Sequence, residues 1–64
     1  MSKFTVRCYF TYSAEVEVEA ESIEEAKKNG YNICSKKPIN ELDYVGYGYT
    51  DIEVQDETGE THLF

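Results

Sequence analysis

The chain has no tryptophan, one proline and one histidine among its 64 residues. Its two cysteines, Cys8 and Cys34, are too few for a disulfide framework, and their spacing matches no C-x-x-C motif. No apolar run approaches the roughly 20 residues that a transmembrane helix requires. No secretion signal precedes the first strand-like segment. We therefore expect a cytoplasmic protein with free, buried thiols and no membrane contact.

Basic residues are also scarce: 6 Lys and Arg stand against 13 Asp and Glu, for a formal net charge of −7. Phosphate backbones and anionic membranes attract clustered Lys and Arg, so this balance argues against direct binding to either. It permits a protein partner, including a basic one. The simpler interpretation, that the charge only confers solubility, stays open.

Catalytic and metal-binding motifs are missing as well. The sequence contains no G-x-S-x-G elbow, no phosphate loop and no dinucleotide fingerprint. His62 is the only histidine, and no Cys or His pair has metal-ligand spacing. A chain of this length forms one domain, residues 1–64, with little room for an enclosed cleft. We predict a non-enzymatic protein without catalytic residues, metal or cofactor.

The segment from Ala14 to Ala26, AEVEVEAESIEEA, is the most informative one present. Apolar and acidic residues alternate up to Ala20, which is the period of a strand with one wet face. Ser22 and Glu25 then form the S-x-x-E capping box of a helix. The helix either ends at Gly30 or continues to about Ser35 with Gly30 lying close to the sheet; we prefer the longer one.

The remaining segments are strand-like. Lys3 to Thr11 alternates as a first strand, and Tyr12-Ser13 is taken as its turn into the second. Residues 44–55 are interpreted as one strand with a bulge at 48–51, because the apolar parity changes there. A turn at 56–59 leads to a short last strand from Glu60 to Phe64.

This order predicts an α+β fold: a small antiparallel sheet, β-β-α-β-β, with one helix packed on one face. The same periodicities predict the core. Its expected members are Phe4, Val6, Cys8, Phe10, Val16, Val18, Ile23, Ala26, Ile33, Ile52 and Val54, with Leu42 or Leu63 closing an end.

The acidic face of the second strand is the first candidate site. Glu15, Glu17 and Glu19 are expected on one face at a repeat of about 7 Å. That repeat is close to the spacing of phosphates along one DNA strand, so the row could mimic nucleic acid in the basic groove of a host protein. The alternative is a solvated face, or a sheet edge protected by charge.

Tyrosine is the second candidate, with six in the chain and three crowded into YVGYGY. Tyr44, Tyr47 and Tyr49 suit a protein interface, where tyrosine is favoured. Stacking on single-stranded bases is the alternative, although the basic groove that it needs is missing. An uncovered aromatic face also permits a homodimer.

The blocks VEVEAESIEEA and IEVQDETGE give the chain a resemblance to small DpnD/PcfM-like proteins of bacteria, phages and mobile elements. It covers about residues 3–34 and extends to the last strands, while Gly30 and YVGYGY depart from the pattern. The resemblance implies a phage or mobile-element setting and transfers no functional residue. The leading hypothesis is a small protein-interaction module; the alternative is a nucleic-acid-mimicking inhibitor of a host DNA-binding or nuclease complex.

Overall fold

The computed structural model describes residues 2–64, which form a five-stranded antiparallel sheet with one α-helix against one face. The predicted α+β class is confirmed. The strands lie in the order β3-β2-β1-β4-β5. The elements are β1 (Ser2–Tyr9), β2 (Tyr12–Ala20), α1 (Ile23–Lys36), a 3-10 turn (Ile39–Glu41), β3 (Asp43–Tyr44), β4 (Asp51–Gln55) and β5 (Thr61–Leu63).

The β1–β2 hairpin forms the centre of the sheet. Its register runs without interruption from Ser2↔Ala20 to Tyr9↔Ser13. The predicted turn at Tyr12-Ser13 is wrong, because both residues belong to β2 and the reversal takes place at residues 10–11. The amide of Phe10 donates to the carbonyl of Tyr12 at 2.8 Å and closes the turn.

Helix α1 begins at the predicted cap and reaches the predicted length. The Ser22 hydroxyl accepts a hydrogen bond from the Glu25 amide at 3.1 Å. Ala26, Gly30 and Cys34, spaced four residues apart, face the sheet and are buried. A Cβ built on Gly30 would lie 2.5 Å from the Cβ of Val6, which confirms the predicted close approach.

The single bulged strand predicted over residues 44–55 is wrong. Its two ends belong to strands on opposite sides of the hairpin: β3 pairs with β2, whereas β4 pairs with β1. The parity change therefore marks a connection, residues 45–50, that crosses from one side to the other. Gly46 permits this path because its φ of 66° is unfavourable for other residues.

The core lies between α1 and the three longest strands. Within residues 2–64 it contains nine buried apolar side chains; the predicted core omitted Ala20 and Cys34, although Cys34 was expected to be a buried thiol. Ile33 was wrongly placed in the core: it is 44% exposed, because the sheet-facing row of α1 passes through Cys34 instead. Leu63 is 75% exposed and does not close an end of the core, while Leu42 is half-buried. Buried members are Phe4, Val6, Cys8, Val18, Ala20, Ala26, Cys34, Ile52 and Val54, with Phe10, Ala14, Val16 and Ile23 packed against them.

Candidate protein-binding surface

The sheet face opposite α1 is open and strongly acidic. Neighbouring residues of a strand point to opposite faces of the sheet. The buried residues of β1, β2 and β4 point towards the helix, so the residues that alternate with them point to this open face. Arg7, for example, lies between Glu15 on β2 and Glu53 on β4. The acidic members are Glu15, Glu17, Glu19, Asp43, Asp51 and Glu53, and the basic members are Lys3 and Arg7.

Arg7 is the electrostatic centre of the open face. Its Nε lies 2.6 Å from Oε1 of Glu15, and its Nη1 lies 4.0 Å from Oε2 of Glu53. Both pairs are partly solvated, so we expect each to add no more than about 1 kcal/mol to stability. Neither Glu17 nor Glu19 has a cation within ion-pair distance in residues 2–64, and both remain exposed.

Two of the predicted tyrosines lie in the crossing connection at one end of this face. The Thr11 carbonyl accepts hydrogen bonds from the amides of Val45 and Gly46, both at 3.0 Å, and holds the connection against the hairpin turn. Tyr47 donates its hydroxyl to the Asp51 carboxylate, and this bond raises the pKa of Tyr47. Tyr49 packs edge-on against Tyr47, with ring centroids 5.8 Å apart.

A groove of about 470 Å³ lies beside Tyr47. Its walls are mainly apolar, and the carboxylates of Asp51 and Glu53 are the only charged side chains among its lining residues within the described chain. Leu63 contributes exposed apolar surface from the last strand, whereas the ring of Phe64 lies 4.9 Å from Nζ of Lys27 on α1. We call this the corner groove, and its lining residues are Tyr9, Val45, Tyr47, Asp51, Ile52, Glu53, Leu63 and Phe64.

Tyr44 does not belong to the corner groove. It pairs with Tyr12 across β2 and β3, and the two rings pack edge-on at 5.6 Å. Its partner Tyr12 has the parity of the helix-facing residues of β2, so Tyr44 lies on the other side of the sheet. The structure thus brings Tyr47 and Tyr49 together and separates Tyr44 from them.

Sequence reasoning missed Val45, Leu63 and Phe64 as possible contact residues, whereas Tyr9 is one of the six tyrosines that formed the second candidate. Leu63 lines the same groove as Tyr9 only because β4 and β5 extend the sheet on that side of β1. A local sequence pattern gives no signal that these two residues are close, since they are more than 50 positions apart.

A second cluster of polar groups, Asp56, Glu60 and His62, lies in the β4–β5 hairpin. One carboxylate oxygen of Asp56 accepts from the amides of Thr58 and Glu60 at 3.0 and 3.1 Å and from the Thr58 hydroxyl at 2.5 Å. The other lies 3.2 Å from Nε2 of His62. One potential ligand atom from each of Asp56, Glu60 and His62 lies within 4.8 Å of the others. Because the carboxylate of Asp56 already accepts the hydrogen bonds that the turn donates, we assign this cluster a structural role.

Acid should weaken the fold through Asp56. Hydrogen bonds, first that of the Thr58 hydroxyl, lower the pKa of Asp56 from 3.8 to about 2. A carboxyl whose folded-state pKa is lowered stabilises the fold above its unfolded pKa, and this contribution disappears as the pH falls towards 2. We expect Asp56→Asn to lower the urea midpoint at neutral pH and to flatten its decline between pH 3.8 and about 2.

Asp43→Asn is the matched control, because Asp43 is exposed and lies in β3, far along the sheet from the β4–β5 turn. It should retain the wild-type pH profile. Parallel profiles for wild type and Asp56→Asn would show that the turn does not depend on this carboxylate.

Comparisons with protein-family models, curated proteins and solved structures found no match. The resemblance to DpnD/PcfM-like proteins therefore stays a prediction. No helix within residues 2–64 is long and apolar enough to cross a membrane.

Proposed function

We propose that this chain is a small protein-interaction module that binds its partner through the corner groove. The supporting observation is the concentration of exposed apolar side chains on one end of an otherwise charged surface. Tyr49 and Leu63 are 76% and 75% exposed, and Val45 and Tyr47 are 47% and 40% exposed. Exposed apolar clusters of this kind are typical of binding surfaces.

The charged residues that line the groove indicate the chemistry of its expected partner. Asp51 and Glu53 line it, and no Lys or Arg does so among the described residues. The expected partner segment inserts an apolar side chain beside Leu63 and places a Lys or Arg near the two carboxylates. Such an anchor with a complementary charge combines affinity with orientation. The setting in a phage or mobile element is part of this proposal and derives from the sequence resemblance alone.

The proposal is tested by capture from a lysate of the source organism, comparing variants side by side. We expect Tyr47→Ala and Leu63→Ser each to reduce retention of one defined partner at least tenfold, since central apolar anchors commonly contribute about 2 kcal/mol. Ile39→Ser and Tyr44→Ala are the matched controls, because both residues are highly exposed and lie outside the groove.

The controls should retain the partner as the wild type does. A partner that all four variants retain equally binds elsewhere, and the corner groove is then not its site. Circular dichroism of each variant distinguishes loss of contact from loss of fold, because the exposed positions contribute little to the core.

A second candidate function is mimicry of nucleic acid by the row of Glu15, Glu17 and Glu19. The exposed, regularly spaced carboxylates favour it. Arg7 and Lys3 weigh against it, because they lie opposite Glu15 and Glu19 and interrupt the negative surface. Mimicry predicts a basic, DNA-binding partner whose capture decreases steeply with salt and is competed by short duplex DNA.

A further inference from the structure

The outer edge of β2 is unpaired over most of its length. Strand β3 pairs only with Tyr12 and Ser13. From Ala14 to Ala20, β2 has β1 on one side and, within residues 2–64, no strand on the other. An edge of this kind presents unpaired backbone N–H and C=O groups that can pair with an added strand.

This edge lacks most of the devices that block strand addition. The segment AEVEVEA contains no proline and no lysine, and the pairing with β1 has no bulge that would twist the edge away. Among the residues that the structure describes, the protection along this edge is the negative charge of Glu15, Glu17 and Glu19. Charge of one sign excludes acidic strands and attracts basic ones.

Helix α1 packs on β2 beside the same edge and provides a second, independent feature. A groove of about 380 Å³ lies between the edge and the helix. It is lined by Glu17, Val18, Glu19, Asn29, Asn32 and Ile33. The 44% exposed Ile33 thus lies beside the position of a sixth strand. An added strand would turn alternate side chains towards Ile33 and the others towards the glutamates.

We propose that the β2 edge binds an extended, basic segment of a partner protein by strand addition. The segment alternates Lys or Arg, opposite Glu15, Glu17 and Glu19, with aliphatic side chains that pack beneath α1 on Ile33. Backbone pairing provides affinity, and the alternating side chains provide specificity. A second copy of this chain is the less suitable occupant, because pairing two β2 edges would bring rows of glutamates together. This surface is distinct from the corner groove.

The test uses a blocked synthetic peptide of about seven residues, the length of an ordinary strand, that alternates Lys with Val or Ile. We expect saturable binding to the full chain, new protection of backbone amides between Ala14 and Ala20 in hydrogen exchange, and chemical-shift changes at Ile33. The same peptide with N-methyl groups on alternate residues cannot pair and should bind at least tenfold more weakly. The corner-groove variant Leu63→Ser should bind the peptide normally, so failure of one surface is distinguishable from failure of the other.

Charge is tested by the triple variant Glu15→Gln, Glu17→Gln and Glu19→Gln. It should bind the peptide about tenfold more weakly, the combined effect of several cross-strand charge pairs. Its control, Glu24→Gln with Glu41→Gln and Glu60→Gln, changes the net charge equally at exposed positions off the edge and should bind as the wild type does.

Three results would overturn the proposal. The first is the absence of saturable binding up to about 1 mM peptide. The second is equal binding of the N-methylated peptide, which would show charge attraction without strand pairing. The third is a dimer in sedimentation whose formation protects the amides of Ala14 to Ala20, because a second copy would then occupy the edge.

Discussion

Replacing Gly30 with alanine should remove much of the stability of this domain. An added Cβ would lie 2.5–2.6 Å from three side-chain atoms of Val6, and real Cβ contacts do not come so close. Val6 is β-branched and completely buried, so it has no flexible end that could move aside. Alanine would gain about 1 kcal/mol in helix propensity. Overpacking typically costs about 1–3 kcal/mol; a contact this close belongs at the upper end, so we expect a net loss of about 2 kcal/mol.

In a domain of this size that loss corresponds to a decrease of about 10 °C in Tm. Thermal and urea unfolding of the variant measure it. Gly48→Ala is the matched control, because a Cβ at Gly48 meets no atom within 4 Å and its φ lies outside the left-handed region. This control should be neutral or slightly stabilising, since alanine reduces the entropy of the unfolded chain.

Val6→Ala in the Gly30→Ala background should restore only part of the loss. It removes two of the three clashing atoms but leaves the Val6 Cβ in place. If Gly30→Ala instead stabilises the protein, as in an isolated helix, then α1 does not pack on β1 at this point and the position of the whole helix is wrong.

The helix and the first hairpin were predictable because their signals are local. Strict alternation in β1 and β2 and the Ser22–Glu25 capping box each lie within a dozen residues. The row of Glu15, Glu17 and Glu19 followed from the same alternation. The exact position of the β1–β2 turn could not be predicted, since Tyr12 and Ser13 are compatible with either a turn or a strand end.

The second half of the sheet was not predictable in this way. Residues 44–55 contain enough strand formers for one strand, yet their pairing partners lie on opposite sides of the hairpin. The sequence does not specify on which side of β1 and β2 each end pairs. The corner groove depends on that choice, because it joins Tyr9, Tyr47 and Leu63 from three distant segments. The alternation of residues along a strand could place a tyrosine on one face of the sheet, but it could not predict which residues lie next to that tyrosine.

The contact between the two thiols follows from the way α1 lies on β1. Gly30 lies over Val6, and Cys34 and Cys8 follow one helical turn and two strand residues further along. These steps are of similar length, about 6 Å each. Both cysteines are buried and unbridged. Burial, and then a hydrogen bond with Cys34, raises the pKa of Cys8 from 9.0 to about 12.

Native Cys8 should therefore react with iodoacetamide about 10²–10³-fold more slowly than in urea. The reagent attacks thiolates, and native Cys8 is both shielded and protonated. Labelling at moderate pH must proceed through unfolding, whose free energy in so small a domain is only a few kcal/mol. Mass spectrometry of quenched samples measures the rate at each cysteine.

Gly30→Ala provides the control, because it should accelerate labelling of both cysteines by the factor by which it destabilises the fold. The pH dependence has a definite sign: the raised pKa stabilises the fold below pH 9.0, and this contribution is lost as the pH rises towards about 12. Alkaline solutions should thus accelerate labelling more than thiolate formation in the unfolded chain explains. Rapid labelling of Cys34 beside a protected Cys8 would contradict this account, since it requires the end of α1 to open independently of the sheet.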